Sequence, residues 1–294
     1  MISSSISKLK LGLFDLGILY NNNSIETIQN TLEAAVMAEK LGYSRYWIGE
    51  HQTHDVAWRS SEIILTLLGG YTKKIRIGTA GVMLGYANPL LSAQNFKLLA
   101  SLFPNRVDLG FAKGYSPNND IHERLLDGRT FAPDLLLDKA VLVKSYLNEL
   151  ANEHLLSGYN TNMSPQMWVL GSSAKSMDFA TENNLNFSLS LCHKDLDTNL
   201  INQIHNNEKY NATKFNILVG MICSDTEQKA QIIANEHSHK NLKLSYYGNP
   251  VGCFNFLKDM QEKYATNEII ICDLCKNSKD KFNSISLLAS TMET

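Results

Sequence analysis

Several features that identify common protein classes are missing from this sequence of 294 residues. No apolar run approaches the ~20 residues that a membrane-spanning helix needs. No block of basic residues is present, and 27 lysines and arginines stand against 29 aspartates and glutamates, which leaves a net charge of −2. We therefore expect neither a membrane nor a nucleic acid as a partner.

Cysteine is scarce, and its five copies are an odd number in a chain long enough to fold without disulfides. The first ten residues are rich in serine and lack the apolar core of a secretory signal. Both observations favour free thiols in the cytoplasm. Cys272 and Cys275 have C-x-x-C spacing, but without a second pair we interpret them as ordinary thiols.

The phosphate-binding pattern G-x-G-x-x-G is also missing after the first predicted strand, because Gly12 and Gly17 do not have its spacing. This disfavours a Rossmann-like sheet. Strand-like and helix-like segments nevertheless alternate along the chain. The predicted strands are Leu9–Leu13, Tyr43–Ile48, Ile75–Gly78, Val107–Ala112, Met167–Leu170, Asn186–Leu191, Phe215–Cys223 and Glu268–Ile271.

Helix signals lie between these strands. Asn23 predicts a cap for the first helix, and Asn88 followed by Pro89 is typical of a helix start. Eight strands separated by helices favour an α/β fold of the (β/α)8 or TIM-barrel type. Since no linker or change in composition divides the chain, we expect residues 1–294 to form a single domain. Further helices are predicted at Ser60–Tyr71, Pro133–Leu150, Ala174–Glu182, Asp225–His237, Pro250–Tyr264 and Asp280–Ala289.

Polar and small residues follow the predicted strands, where a barrel of this type builds its active site. Gly171, Ser172 and Ser173 lead into a helix, which is typical of a phosphate site but also of simple helix capping. Glu50 and His51 could act as an acid and a base or could be structural. The other candidates at strand ends are Asp15, Ala80, Gly81, Lys113 and His193.

The order of motifs resembles the bacterial luciferase-like flavin-dependent monooxygenases. The resemblance is dense from Leu9 to Ser116 and patchier beyond. It rests on the segments Trp47–His51, Ile77–Leu84, Asn88–Leu90, Asn105–Gly110, Leu170–Ser173 and Tyr247–Pro250.

What the resemblance implies is a luciferase-like TIM barrel with shortened loops that binds reduced FMN supplied by a separate flavin reductase. With dioxygen, such an enzyme oxidises an organic substrate, either a small molecule or a peptide. His51 matches the family's active-site histidine, with Glu50 beside it, and Ala80–Gly81 matches a non-proline cis peptide under the flavin ring. The residues expected to bind the cofactor are Asp15, Ala80, Gly81, Ala112, Lys113, Gly171, Ser172 and Ser173.

The sequence departs from the luciferases in three places. Gln52 stands where they have a second histidine and Ala112 where they have a reactive cysteine, so light emission is not expected. Lys113 replaces a common arginine, which loses a bidentate phosphate contact and predicts weaker FMN binding. The chain is also short around residues 120–165 and 238–248, which would trim the walls of the substrate site.

Three other functions stay open at this stage. They are hydride transfer with a deazaflavin, a flavin-binding or partner-binding protein without catalysis, and a barrel lyase or isomerase that holds a sugar phosphate at Ser172 and Ser173. The family resemblance also implies a homodimer that packs through the helices after the second and third strands. The apolar segments Ile63–Leu65 and Leu67–Leu68 fit that interface and equally fit packing on the barrel.

Overall fold

Eight parallel strands close into a barrel in the computed structural model of this protein. The structure describes residues 8–112, 114, 116–130, 135–149, 162–192, 200, 203–204, 207–210, 213–236 and 242–292. The strands are β1 (Lys10–Asp15), β2 (Arg45–Ile48), β3 (Arg76–Met83), β4 (Val107–Ala112), β5 (Gln166–Gly171), β6 (Asn186–Ser190), β7 (Phe215–Cys223), β8 (Leu244–Gly248) and β9 (Glu268–Asp273).

The ring runs from β1 through β6 in chain order, then to β7 and β9, and returns to β1. β8 lies outside this ring. The long strand β7 pairs with β6 over its first half and with β8 over its second half, so β8 takes the edge that β6 leaves. The predicted TIM barrel is therefore confirmed, with one additional strand.

Helices surround the barrel and begin at side-chain caps. Asn23 accepts hydrogen bonds from the backbone amides of Ile25 and Glu26, and Asn88 caps the helix whose first residue is Pro89. The described helices are α1 (Ser24–Lys40), α2 (Ser61–Tyr71), α3 (Pro89–Leu102), α4 (Asn119–Leu126), α5 (Leu135–Glu149), α6 (Ala174–Glu182), α7 (Glu227–Asn235), α8 (Pro250–Tyr264) and α9 (Ser278–Ser290).

Alternation along the strands separates two cores, because successive side chains point to opposite faces. One set faces outward and packs under the helices; it includes Leu13, Tyr46, Ile77, Leu109 and Phe187. The other set fills the barrel and includes Phe14, Trp47, Trp168, Leu218 and Ile270. Neighbouring strands agree in this assignment, since Phe14 pairs with Trp47 and Leu218 pairs with Ile270.

Ion pairs fill the barrel at the amino ends of the strands. Arg45 binds Asp108 at 2.7 Å and Glu268 at 2.9 Å, and Arg76 also binds Asp108, at 2.6 Å. The indole of Trp47 donates to the same carboxylate of Asp108 at 2.9 Å. Because Arg45 and Asp108 are almost completely buried, this layer closes the floor of the barrel. The space for a ligand lies at the opposite end.

Candidate functional site

A cavity of about 620 Å³ lies at the carboxyl ends of the strands. Eight of the candidate site residues line it, namely Glu50, His51, Ala80, Gly81, Ala112, Gly171, Ser172 and Ser173. They come from the ends of β2 to β5, which neighbour one another in the barrel. Lys113 and His193 lie outside the described residues.

The β3–β4 side of the cavity includes a patch of small residues. The peptide bond between Ala80 and Gly81 is cis, as the resemblance implies. A Cβ atom at position 81 would lie 2.5 Å from the carbonyl group of Gly110 and 2.7 Å from the amide nitrogen of Phe111, so only glycine fits there. Ala112 also lines this side, and the larger Met83 and Phe111 line the cavity beside these small residues. Ala80, Gly81 and Ala112 therefore form a patch without large side chains on which a planar ring can lie.

Glu50 connects three elements at the edge of the cavity. One of its carboxyl oxygens accepts a hydrogen bond from the amide of Met83 in β3 at 3.2 Å, and the other accepts from the hydroxyl of Ser61 in α2 at 2.7 Å. Burial raises the pKa of Glu50 and the charge of Glu62 adds to this, while the two hydrogen bonds offset part of the shift. The carboxyl group is thus held in position and keeps its proton to higher pH than an exposed glutamate does.

His51 is exposed at the mouth of the same cavity. Its ring lies close to Gly49, where a Cβ atom would come within 3.2 Å of Cδ2 and 3.3 Å of Nε2. The carbonyl oxygen of Gly49 accepts a hydrogen bond from the indole of Trp58 at 2.8 Å, which anchors this turn. The imidazole is therefore presented to the cavity by a turn that a buried indole holds in place.

Helix α6 begins where the end of β5 borders the cavity. The hydroxyl of Ser173 accepts a hydrogen bond from the amide of Ser176 at 3.3 Å, so the capping interpretation of this serine is correct. A Cβ atom at Gly171 would lie 2.6 Å from the Cβ of Ser176. Ser172, Ser176 and the exposed Lys175 also line the cavity. A helix amino terminus with hydroxyls and a cation around it can bind an anion.

The remaining walls are mostly apolar and come from β1, β6, β7, the helix α5 and the segment that leads into β8. Ser190 is the hydroxyl-bearing residue among these walls, and it is buried. The apolar lining residues here are Phe14, Leu16, Leu136, Leu137, Ala140, Cys192, Leu218 and Leu242.

Asp15 does not line the cavity, contrary to the expectation that it binds the cofactor. It follows Phe14, which faces the interior, so its own side chain points outward between α1 and α9. There its carboxylate accepts hydrogen bonds from Lys281 at 2.6 Å, Tyr46 at 2.6 Å and Thr31 at 2.9 Å. The amide of Gly17 donates a fourth at 3.0 Å. Its hydrogen-bonding capacity is used within the protein.

The cysteines of the C-x-x-C spacing, Cys272 and Cys275, are buried and carry free thiols, as do the other three cysteines. A hydrogen bond with Cys192 and burial both raise the pKa of Cys272. In the described part of the chain, no group of three or more His, Cys, Asp or Glu side chains is arranged to hold a metal ion. No helix among the described residues is long and apolar enough to cross a membrane.

Three lining residues that carry a hydroxyl or an amine were not predicted from the sequence, and neither was most of the apolar lining. Lys175 and Ser176 follow Ser173 in the first turn of α6, and a search extended by one helical turn beyond the serines would have included both. Ser190 alternates with apolar residues in β6 and stands two positions after Ser188. That spacing places both hydroxyls on the same face of the strand, which was the available signal.

Barrel and cavity together define a TIM-barrel protein with its site at the carboxyl ends of the strands. The family model of the luciferase-like monooxygenases matches residues 11–250. The chain therefore belongs to the luciferase-like monooxygenase family and is an enzyme of that family, which confirms the resemblance.

Two relatives illustrate the relationship. The protein YvbT of Bacillus subtilis (strain 168) is 30% identical over 258 residues, which cover 83% of this chain and 74% of YvbT. The luciferase-like monooxygenase of Escherichia coli (strain K12) is 31% identical over 189 residues, 62% of this chain and 55% of its own.

Solved structures share the fold at lower identity. Apo-MsnO8 superposes with a TM-score of 0.79 at 21% identity, with coverage of 97% of this chain and 98% of its own. The oxygenating constituent of 3,6-diketocamphane monooxygenase from Pseudomonas putida, solved with FMN, has a TM-score of 0.74 at 14% identity and coverages of 97% and 98%. An F420-dependent secondary alcohol dehydrogenase has a TM-score of 0.70 at 14% identity and coverages of 97% and 99%.

Proposed function

We propose that this enzyme binds reduced FMN and uses dioxygen to oxidise a small organic substrate. The observation that carries the proposal is that one cavity joins a patch of small residues, a histidine and a helix amino terminus ringed by hydroxyls. A flavin mononucleotide has a planar ring at one end and a phosphate at the other, so the patch of small residues fits the ring and the helix terminus fits the phosphate. When bound, the reduced flavin would supply the electrons that activate dioxygen.

Different residues of the chain would bind the two ends of the flavin. Ala80, Gly81 and Ala112 would support the ring, and Ser172, Lys175 and the amino terminus of α6 would hold the phosphate. Gly171 leaves room for Ser176 beside it. Lys113 stays a predicted phosphate ligand through the family resemblance.

His51 would transfer protons, and Glu50 would hold part of the site in position. The exposed imidazole of His51 would donate or accept a proton at the reacting atoms, because histidine titrates near working pH. Glu50 would hold the end of β3 through the amide of Met83. The apolar walls opposite would exclude water from the reaction.

Hydride transfer with a deazaflavin is the second candidate, and the fold shared with an F420-dependent enzyme motivates it. Lys175 is the cation among the described lining residues, which favours a single phosphate over a longer anionic tail. A titration of the protein with reduced FMN and with reduced F420 compares the two directly. Preferred binding of F420, with no oxygen consumption, would replace the first proposal by the second.

Oxygen uptake by the loaded enzyme tests the reaction. We expect the complex with reduced FMN to consume dioxygen and to oxidise added substrates such as thioethers or ketones. His51→Ala should keep FMN affinity and slow turnover by about 10²-fold or more. Flavin binding without substrate oxidation in any assay would favour a silent binding protein. Failure to bind either flavin would revive a sugar-phosphate barrel.

Phosphate binding has its own test. Ser172→Ala combined with Lys175→Ala removes two contacts to a charged group, so FMN affinity should fall by about 100-fold. Fluorescence quenching of FMN measures it. Unchanged affinity would remove α6 from the cofactor site.

We further propose that a separate reductase supplies the reduced flavin. The described cavity offers one patch of small residues and one anion-binding end, which one flavin would occupy. NADH and NADPH should therefore not be consumed by the protein with FMN alone, whereas an added flavin reductase should start turnover. The five free cysteines, all buried, support placement in the reducing cytoplasm. Residues 1–294 would act as one domain around this cavity.

A homodimer is the assembly we propose. Ile63, Leu67 and Tyr71 form an exposed apolar stripe on α2, since residues four apart lie on one helix face. The neighbouring helix α3 exposes Leu91, Leu98 and Leu102. Two adjacent stripes of this kind are typical of a surface that a second copy covers. Light scattering of the purified protein tests the assembly.

A further inference from the structure

The cavity has two sides of different chemistry, and the proposed function occupies only one. The patch of small residues on β3 and β4 and the α6 terminus after β5 would take the flavin. The other side is built by β1, β6 and β7, which lie in the opposite part of the ring. Its described lining is apolar apart from Ser190, so this side is left for the substrate.

Ser190 faces into the cavity from β6. It pairs with Leu218 of β7, whose side chain also lines the cavity, and alternation puts Ser188 and Ser190 on the interior face of the strand. The residue is only 5% exposed. Its hydroxyl makes no hydrogen bond to any residue in the described part of the chain. A substrate that fills this side of the cavity would displace water from the hydroxyl, so a substrate group that bonds to it avoids leaving a polar atom unpaired, which is unfavourable.

We infer that Ser190 is a specificity-determining residue that hydrogen-bonds the single polar group of an uncharged, otherwise apolar substrate. This inference rests on the proposed function, because the flavin must occupy the other side. A carbonyl, ether or hydroxyl suits the hydroxyl of Ser190, which can donate or accept. A carboxylate does not suit this side, because the described residues of this side include no cation to compensate its lost hydration. Lys175 lies at the α6 terminus instead.

Three probes of similar size test the chemistry. Acetophenone carries a carbonyl, α-methylstyrene replaces the carbonyl oxygen by a methylene group, and benzoate carries a charge. We would measure their binding by calorimetry to the protein saturated with FMN and to the flavin-free protein. Acetophenone should bind about 3- to 10-fold more tightly than α-methylstyrene, and benzoate should bind at least about 30-fold more weakly than acetophenone.

Matched variants locate the contact. Ser190→Ala should remove the preference for acetophenone over α-methylstyrene without weakening α-methylstyrene. Ser188→Ala is the control, because its buried hydroxyl also lacks a partner within the described structure yet does not line the cavity. That variant should keep the preference. Ser190→Thr retains a hydroxyl and should keep most of it.

The outcomes separate this inference from the proposed function. An acetophenone preference that survives Ser190→Ala would overturn the inference, as would benzoate binding as tightly as acetophenone or no binding of either neutral probe. If FMN fails to bind but the preference in the flavin-free protein still depends on Ser190, the proposed function falls and the contact stands. If FMN binds but the preference for acetophenone does not depend on Ser190, the proposed function stands and this inference falls.

Discussion

Replacing Lys281 by methionine should destabilise the protein strongly, because it leaves a buried carboxylate without its cation. Lys281 in α9 and Asp15 at the end of β1 are 7% and 6% exposed, and their charged atoms lie 2.6 Å apart. Methionine keeps the length of the apolar stem and removes only the charge and its hydrogen bond. Removal of one partner of a buried ion pair costs about 3–5 kcal/mol.

A dependence on pH follows from the two charges. Burial alone would raise the pKa of Asp15, but the charge and hydrogen bond of Lys281, with the hydrogen bonds from Tyr46 and Gly17, outweigh burial and lower it. In the wild-type protein this contribution is present above the unfolded pKa of about 4 and is lost as the pH falls through the native pKa. Without Lys281 burial should prevail and raise the pKa of Asp15. The native state of the variant then favours the protonated acid, so its stability should fall as the pH rises.

Urea unfolding at pH 4.5 and pH 8, followed by tryptophan fluorescence, measures both effects. At pH 8 the midpoint of Lys281→Met should fall by about 1 to 1.7 M urea, for a slope of about 3 kcal/mol/M. The loss should be smaller at pH 4.5. Lys279→Met is the control, since Lys279 is exposed on the same helix, and it should change the free energy of unfolding by less than about 0.5 kcal/mol. A loss below 1 kcal/mol, or one that grows toward low pH, would refute the reasoning.

Three further changes test the site and the surface. Gly171→Ala should weaken FMN binding by about 10-fold or more, because the new Cβ displaces the first turn of α6. Gly70→Ala is the control, since a Cβ at that position has open space around it, and it should leave FMN affinity unchanged. Equal FMN affinities of the two variants in titrations would contradict this prediction. Burial raises the pKa of Glu50, so the wild-type protein should lose stability as the pH rises above about 4.3, the pKa of an exposed glutamate. Glu50→Gln should therefore reduce the fall in melting temperature between pH 4 and pH 8. An unchanged fall would be contrary evidence. Ile63→Glu should convert the proposed dimer to a monomer in light scattering, while Ile232→Glu, an exposed control outside the stripe, should leave the proposed dimer intact; a dimer in both variants would place the interface elsewhere.

Much of the fold could be predicted because local signals were strong. The helices at Ala174–Glu182 and Pro250–Tyr264 begin and end where the sequence predicts, since each starts at a capping residue. β8 and α4 were not predicted. β8 is half-buried in the sequence Leu-Ser-Tyr-Tyr-Gly, which lacks the continuous apolar run of the barrel strands. It forms because β7 extends past the end of β6 and leaves an edge open.

The candidate site shows the limit of reasoning from strand ends. Asp15 and Glu50 both lie at the ends of apolar strands, yet only Glu50 lines the cavity. Asp15 is the last residue of β1 and pairs with Ile48, so alternation within the sheet fixes its outward direction. Glu50 lies two residues beyond the end of β2, where that alternation no longer applies. The point at which a strand ends, which depends on pairing with its neighbours, therefore decides which of these residues can reach the cavity. The end of β3 was also predicted wrongly. The sequence predicts that β3 ends at Gly78, but the strand continues to Met83 and contains Ala80 and Gly81.

The ion-pair layer around Arg45 and Asp108 has a consequence for the order of events in a reaction. Since this layer closes the amino end of the barrel, a ligand would reach the described cavity from the carboxyl ends of the strands. If the proposed flavin and substrate bind one above the other, the deeper one would have to enter first and leave last. The order of binding and release would then follow from the position of this layer.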